Sequence, residues 1–216
     1  MGKLWICLPM ISMLLLTGCG GGVSRAEQDA LSLRGEYLEL DACTAQTEIT
    51  ADYGQRVVRY TADAAVEGEH TVLNLTAPET VAGITVHLDG QDSTLEYDGM
   101  TVETGVLDGE KLTPLNALPA LLEAVRSGYI TACSYTDEHF LRVDCGDPEL
   151  GPGKGRETSL WFNGEGDLLR GELSQDGRLV VSCDFSEFHR ELERDQNAGQ
   201  KNDAYLGGDR SGCSDP

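Results

Sequence analysis

Cysteine and histidine are the side chains here best suited to nucleophilic or metal chemistry. The chain holds seven Cys and four His. The histidines, His70, His87, His139 and His189, stand far apart in sequence. On an alternating strand His87 points opposite Ile84, Val86 and Leu88, toward a polar face. Each imidazole therefore reads as solvated or hydrogen-bonded. A catalytic nucleophile needs a base and an orienting group beside it. Neither a Gly-x-Ser-x-Gly elbow nor a Ser-x-x-Lys signature is present, and there is no His-Glu-x-x-His. Zinc spacing of Cys and His is missing, as is the alternating Asp run of a calcium loop. No catalytic residue, metal site or cofactor is expected. Gly151-Pro152-Gly153-Lys154-Gly155 superficially resembles a phosphate-binding loop. It lacks the full glycine spacing and the following helix, and reads as a connection.

One cysteine differs by what precedes it. Met1-Gly2-Lys3 carries a single positive charge, and Leu4 to Leu16 is apolar except for Pro9 and Ser12. As a helix this run reaches about 20 Å, short of a hydrocarbon core of about 30 Å. That length suits a signal-peptide apolar region better than a span. Leu16-Thr17-Gly18-Cys19 follows and resembles the lipobox of bacterial lipoproteins. Small side chains beside the scissile bond admit the signal peptidase, and the Cys19 thiol is the nucleophile that takes a diacylglyceryl group. The expected product is cut before Cys19, exported, and tethered to the cell membrane by lipid. Each buried CH2 contributes about 0.8 kcal/mol, so two or three acyl chains hold firmly. Cys7 lies in the removed segment.

Removing 18 of 216 residues leaves 198, enough for one domain with an ample core. Only Lys3 is lost among the charges, so 15 basic residues face 37 acidic ones, a net of −22. That surface repels phosphate backbones and anionic headgroups, which excludes a nucleic-acid partner. The plain consequence of such acidity is solubility. Five cysteines remain besides Cys19, and an odd number cannot all pair. Cys213, in a polar stretch, is the odd one. Cys43, Cys133, Cys145 and Cys183 either pair in one of three ways or are buried free thiols.

The positioning elements are mostly strands. Candidates are Thr44 to Ala51, Gln55 to Ala65, His70 to Thr76, Ile84 to Leu88, Ser93 to Tyr97 and Met100 to Thr104. Tyr129 to Tyr135, His139 to Cys145, Thr158 to Phe162, Asp167 to Ser174 and Arg178 to Phe185 complete the set. Asp89-Gly90, Asp98-Gly99, Asp108-Gly109, Asn163-Gly164 and Asp176-Gly177 suit the positive φ of tight hairpins. Together they give a mainly β chain, an antiparallel meander with one or two helices. One amphipathic helix is expected from Leu118 to Ser127, after a turn at 114–117, because Pro119 would break a helix begun at Pro114. Leu118, Leu121, Leu122 and Val125 share one of its faces, and Gly128 suits its stop. Glu27 to Leu33 is a second, short helical candidate. Residues 1–18 read as the leader, 19–30 as a Gly-rich tether, 31–192 as the folded body and 193–216 as a disordered polar tail.

The stretches Ala51 to Val57 and Thr71 to Thr85, with Pro114 to Gly128, resemble a group of small lipoproteins of Gram-positive gut bacteria. Their order of elements is similar to the LolA/LolB-like superfamily, over roughly residues 36 to 188. That resemblance implies a strongly curved, open antiparallel half-barrel with a helix in its concave side. It also implies an apolar concave face that holds an acyl ligand or a hydrophobic segment of an envelope protein. Leu118, Leu121, Leu122 and Val125 would form an apolar lid over it. No functional residue beyond Cys19 carries over. The expected function is a non-catalytic, membrane-anchored binding module. The alternatives are an envelope hydrolase without a recognisable motif and a transporter's substrate-binding lipoprotein, for which the chain has too little helix.

Overall fold

The computed structural model describes residues 23–90, 92–106 and 112–192. Cys19 and the expected leader, the glycines at 20–22, the expected turn at Asp108-Gly109 and the stretch 193–216 with Cys213 lie outside them.

A first helix, α1 (Arg25–Leu38), precedes β1 (Leu40–Asp52), β2 (Val57–Glu67), β3 (His70–Ala77), β4 (Thr85–Asp89), β5 (Asp92–Tyr97) and β6 (Met100–Val106). Helix α2 (Ala117–Ser127) leads to β7 (Ile130–Tyr135), β8 (Leu141–Cys145), β9 (Arg156–Phe162), β10 (Leu168–Gln175) and β11 (Arg178–Leu192). All eleven strands form one antiparallel sheet, in the order β6-β5-β4-β3-β2-β1-β11-β10-β9-β8-β7. The sheet is thus two meanders joined where β1 meets β11, with Ile49 opposite Cys183. β6 and β7 are its two edges and do not pair, so the half-barrel stays open.

This order fixes the place of α2. The chain leaves β6 at one edge and resumes at β7 on the other, so the link must cross the sheet. α2 makes that crossing with an apolar face, and Ala117, Leu118, Leu121, Leu122 and Val125 are buried in one core with both halves of the sheet. Pro119 is tolerated because it sits in the first turn, where its N–H would have no helical partner. Gly128 ends the helix by space rather than by conformation. Its φ is −58°, but a Cβ there would meet the Ala124 carbonyl oxygen at 2.5 Å.

α1 begins earlier than the sequence reading allows. The tether expected over 19–30 gives way to helix at Arg25, and the short helix expected at 27–33 extends to Leu38. The reason is a capping box: Ser24 Oγ accepts from the Glu27 amide at 3.1 Å, and Glu27 Oε2 accepts from the Ser24 amide at 3.4 Å. Ala26, Ala30, Leu33 and Tyr37 then recur at helical spacing and are buried. The two helices terminate each other. Arg34 of α1 donates to the carbonyls of Val125 (2.9 Å) and Gly128 (2.6 Å) at the end of α2. Arg126 of α2 donates to the carbonyls of Tyr37 (3.1 Å), in the last turn of α1, and of Leu40 (3.5 Å), at the start of β1. Each guanidinium meets carbonyls that lack helical partners, at the negative pole of the other helix.

The described turns follow the glycines with two exceptions, one being Asp89, which ends β4 opposite Asp92 so that only Gly90 of that pair has positive φ. Asp98 and Gly99 have φ of 50° and 73°, and Asp176 and Gly177 have 51° and 72°. These are two-residue hairpin turns of the type that needs positive φ at both positions. Asn163-Gly164 is not such a turn. Asn163 Oδ1 instead accepts from the amides of Glu165 and Asp167, both at 2.9 Å, and closes a wider loop between β9 and β10.

Candidate functional site

The expected lid is part of the filling. Leu118, Leu121, Leu122 and Val125 come together as the sequence implies, and they are buried against the sheet. Leu121 rests on the backbone of Gly171 in β10: a Cβ at Gly171 would lie 2.4 Å from Leu121 Cδ1. A side chain on that strand position would occupy the space the helix uses, so the concave side of the β9–β11 half is closed by packing.

The open space lies beyond the start of α2. A cavity of about 260 Å³ is lined by Ile49 of β1, Tyr60 of β2, Leu75 of β3, Tyr53, and Thr113, Pro114 and Leu115 from the link before α2. Its geometry is held from both sides. Asn116 Oδ1 accepts from the Thr113 amide at 2.8 Å and from the Thr113 hydroxyl at 3.0 Å, which folds the link over the sheet. The β1–β2 turn that presents Tyr53 is held by Asp52, whose Oδ1 accepts from the Gly54 amide (2.6 Å) and from Arg178 of β11 (3.1 Å). Those bonds, the Gly54 amide first, keep the Asp52 carboxyl below its ordinary range. Gly54 is required here: its φ is +87°, and the Arg178 guanidinium would lie 2.8 Å from a Cβ.

No lining residue is a carboxylate, imidazole, thiol or amine. Partial burial, with Tyr60 beside it, pushes the Tyr53 phenol up, so that group stays neutral at ordinary pH. The cavity offers apolar contact and two aromatic rings, with Tyr53 57 % exposed at its rim. It can take an apolar group against those rings.

A larger groove of about 590 Å³ runs between α1 and the loops after β7 and β9, lined by charged and polar residues, Arg25, Asp29, Glu36 and His139 among them, and by Leu33 and Leu141. Several of its charges are already engaged. Arg25 lies 3.6 Å from Asp29, Tyr135 donates to Asp29, and Glu36 accepts from Arg190 at 2.9 Å. His139 lies 3.1 Å from the Asp137 carbonyl.

Two histidines that the sequence leaves apart meet on the convex face. The pairing of β3 with β4 sets His70 opposite Asp89 and Val72 opposite His87. The rings of His70 and His87 stack with centroids 5.9 Å apart. His70 Nδ1 lies 2.5 Å from Asp89 Oδ1, and His87 Nε2 lies 3.7 Å from Glu96 Oε2. Cross-strand register, not sequence proximity, carries that pairing. His139 and His189 lie elsewhere.

Cys43, Cys133, Cys145 and Cys183 are free thiols. Burial pushes the Cys43 and Cys145 thiols up to about 11 and Cys183 to about 12. Such thiols stay protonated and unreactive at neutral pH.

No family model matches the sequence, and no curated protein matches it. Among solved structures, the chain is similar to a LolA superfamily protein from Nitrosomonas europaea, at 14 % identity over 77 % of this chain and 96 % of that one, TM-score 0.39. It is similar to the Mycobacterium tuberculosis lipoprotein LppX, at 13 % over 77 % and 98 %, TM-score 0.40. A chain in the complex of the CwlD amidase with the GerS lipoprotein from Clostridioides difficile is similar at 10 % over 78 % and 97 %, TM-score 0.43. None of these scores reaches 0.5.

Proposed function

We propose that this chain is a lipid-anchored, extracytoplasmic binding module that takes an apolar anchor of a protein partner into the cavity at Tyr53, Tyr60, Leu75 and Leu115. Lipid on Cys19 would hold it at the membrane. The size and lining of that cavity carry the reading. About 260 Å³ lies just under the roughly 300–1,000 Å³ of small-molecule sites. A space of that size, lined by two aromatic rings and aliphatic side chains, suits one or two apolar side chains of a partner. Partner anchors of this kind sit in desolvated pockets and carry most of an interface's energy.

Two measurements test the two halves. Cys19→Ser should move the protein from the membrane to the soluble fraction and abolish incorporation of an alkyne-labelled fatty acid. Retention of label in that variant refutes the anchor. Leu115→Trp, which fills the cavity from its rim, should abolish recovery of the partner after crosslinking in the intact envelope. Unchanged recovery with a normally folded variant refutes the cavity as the docking point.

A further inference from the structure

Charge is spread unevenly over the sheet. From Tyr60 to Glu110 the sequence holds eleven Asp and Glu and no Lys or Arg. This stretch includes most of β2 and all of β3 to β6, so one end of the half-barrel is an acidic surface. The other half balances its carboxylates with arginines: Arg142 lies 3.0 Å from Asp144, and Arg170 bridges Glu172 (2.8 Å) and Asp184 (3.0 Å).

The two sheet edges are also treated differently. β7 has α1 beside it, and Tyr135 at the end of that strand donates to Asp29 of the helix. β6 ends the sheet on the acidic side, and among the described residues nothing pairs with its outer flank. Tyr97 and Met100 close a two-residue turn and so exchange hydrogen bonds, which leaves the main-chain groups of Thr101 and Glu103 pointing outward. Strand edges of this kind are templates for another strand unless charge, a Pro, a bulge or a cover blocks them. From Met100 to Val106 there is neither Lys nor Pro; the one charge is Glu103, which repels an acidic strand but not a basic one, and the irregularity opposite Ser93 and Thr94 lies beyond Glu103.

Register assigns a chemistry to each face of the edge. Leu95 faces Val102 and Tyr97 faces Met100, so these share the face that carries the sheet's apolar residues. Met100 is 64 % exposed, Val102 57 % and Tyr97 54 %. Thr94 faces Glu103 and Glu96 faces Thr101, so both carboxylates lie on the opposite face.

We propose that the outer edge of β6 is a strand-addition site for an extended, cationic segment of another protein, in which apolar residues alternate with Lys or Arg. Its main chain would bond to Thr101 and Glu103. Its apolar side chains would lie beside Met100 and Val102, and its basic ones beside Glu96 and Glu103. A second copy of this chain does not fit, because pairing two β6 edges sets two acidic surfaces without Lys or Arg side by side, and like charges opposite each other destabilise a ladder. The edge lies away from the concave cavity, so the inference does not depend on what that cavity binds.

The test uses the full chain with its lipid, in detergent micelles. A fluorescent peptide of alternating Lys and Val is titrated against it, beside a Glu-Val peptide of equal length. The Lys peptide should bind at least tenfold tighter, weaken with salt, and slow amide exchange at Thr101 and Glu103. Thr101→Pro removes an outward N–H without touching the β5 ladder, and should lower affinity at least tenfold. Glu103→Lys leaves the main chain intact and should weaken the Lys peptide while strengthening the Glu peptide. Equal binding of the two peptides, or exchange protection elsewhere, overturns the proposal. So does a concentration-dependent dimer that Thr101→Pro abolishes, since the occupant would then be a second copy. Leu115→Trp should leave peptide binding unchanged, which separates this site from the concave cavity.

Discussion

Gly171→Ala distinguishes a packed helix from a mobile lid. The added Cβ would lie 2.4, 2.5 and 2.9 Å from Cδ1, Cδ2 and Cγ of Leu121. All three branch atoms are too close, so the whole side chain must move. Leu121 is fully buried, and its neighbours on α2 are buried too. Overpacking of this kind costs about 1–3 kcal/mol. Restricting the unfolded chain by replacing glycine returns about 0.4–1 kcal/mol. The net expectation is a loss of about 1–2 kcal/mol. At a urea slope of about 2 kcal/mol/M, the midpoint should fall by about 0.5–1 M with the slope unchanged. Leu121→Ala alone should cost about 2–5 kcal/mol through the cavity it leaves. Combined with Gly171→Ala it should cost less than the sum, because the new methyl enters the vacated space. A Gly171→Ala protein of unchanged midpoint that takes up a hydrophobic dye would refute the reasoning, since α2 would then swing away from β10 freely.

Three further outcomes follow from the packing. Arg34→Met should cost about 1–3 kcal/mol, as it strips a charged donor from two helix-terminal carbonyls, and Arg126→Met should cost less, since its second bond is 3.5 Å long; urea titration ranks the two. Arg190 is 11 % exposed and joins Asp167 at 3.1 Å to Glu36 at 2.9 Å, so Arg190→Met should cost about 2–3 kcal/mol, below the 3–5 of a fully buried pair because water still reaches Glu36; thermal unfolding measures it. Alkaline pH should destabilise the fold. The Cys183 thiol rises from 9.0 unfolded to about 12 folded, so its stabilising effect is complete below pH 9 and is lost as pH climbs toward 12. The slope from this group is up to about 1.4 kcal/mol per pH unit, and Cys183→Ala should remove that share between pH 9 and 11 while Cys43 and Cys145, raised to about 11, keep the rest.

The strands were legible because each is a local alternation. Ile84, Val86 and Leu88 against Thr85 and His87 declare one buried face, and Asp98-Gly99 and Asp176-Gly177 declare the reversals. α2 was legible for the same reason, from Leu118, Leu121, Leu122 and Val125 at helical spacing. Whether those four fill or cover could not be read, since that depends on Gly171, fifty residues further along the chain. The full length of α1 was signalled by Ser24 and Glu27, but its last turn depends on Arg126 and Arg190 from distant elements. The cavity was not legible: Ile49, Tyr60 and Leu75 sit on three strands and meet Leu115 only through the crossing link. The acidic half of the sheet had a signal in plain view, the absence of Lys and Arg between Arg59 and Lys111, which whole-chain charge conceals.

The most direct test of the central reading is photocrosslinking in the intact envelope, with a benzophenone amino acid in place of Tyr53 at the cavity rim. The account requires one discrete protein adduct that disappears when Leu115→Trp fills the cavity and persists when Glu103→Lys alters the sheet edge. Adducts to lipid alone, or a protein adduct that survives Leu115→Trp, would contradict it.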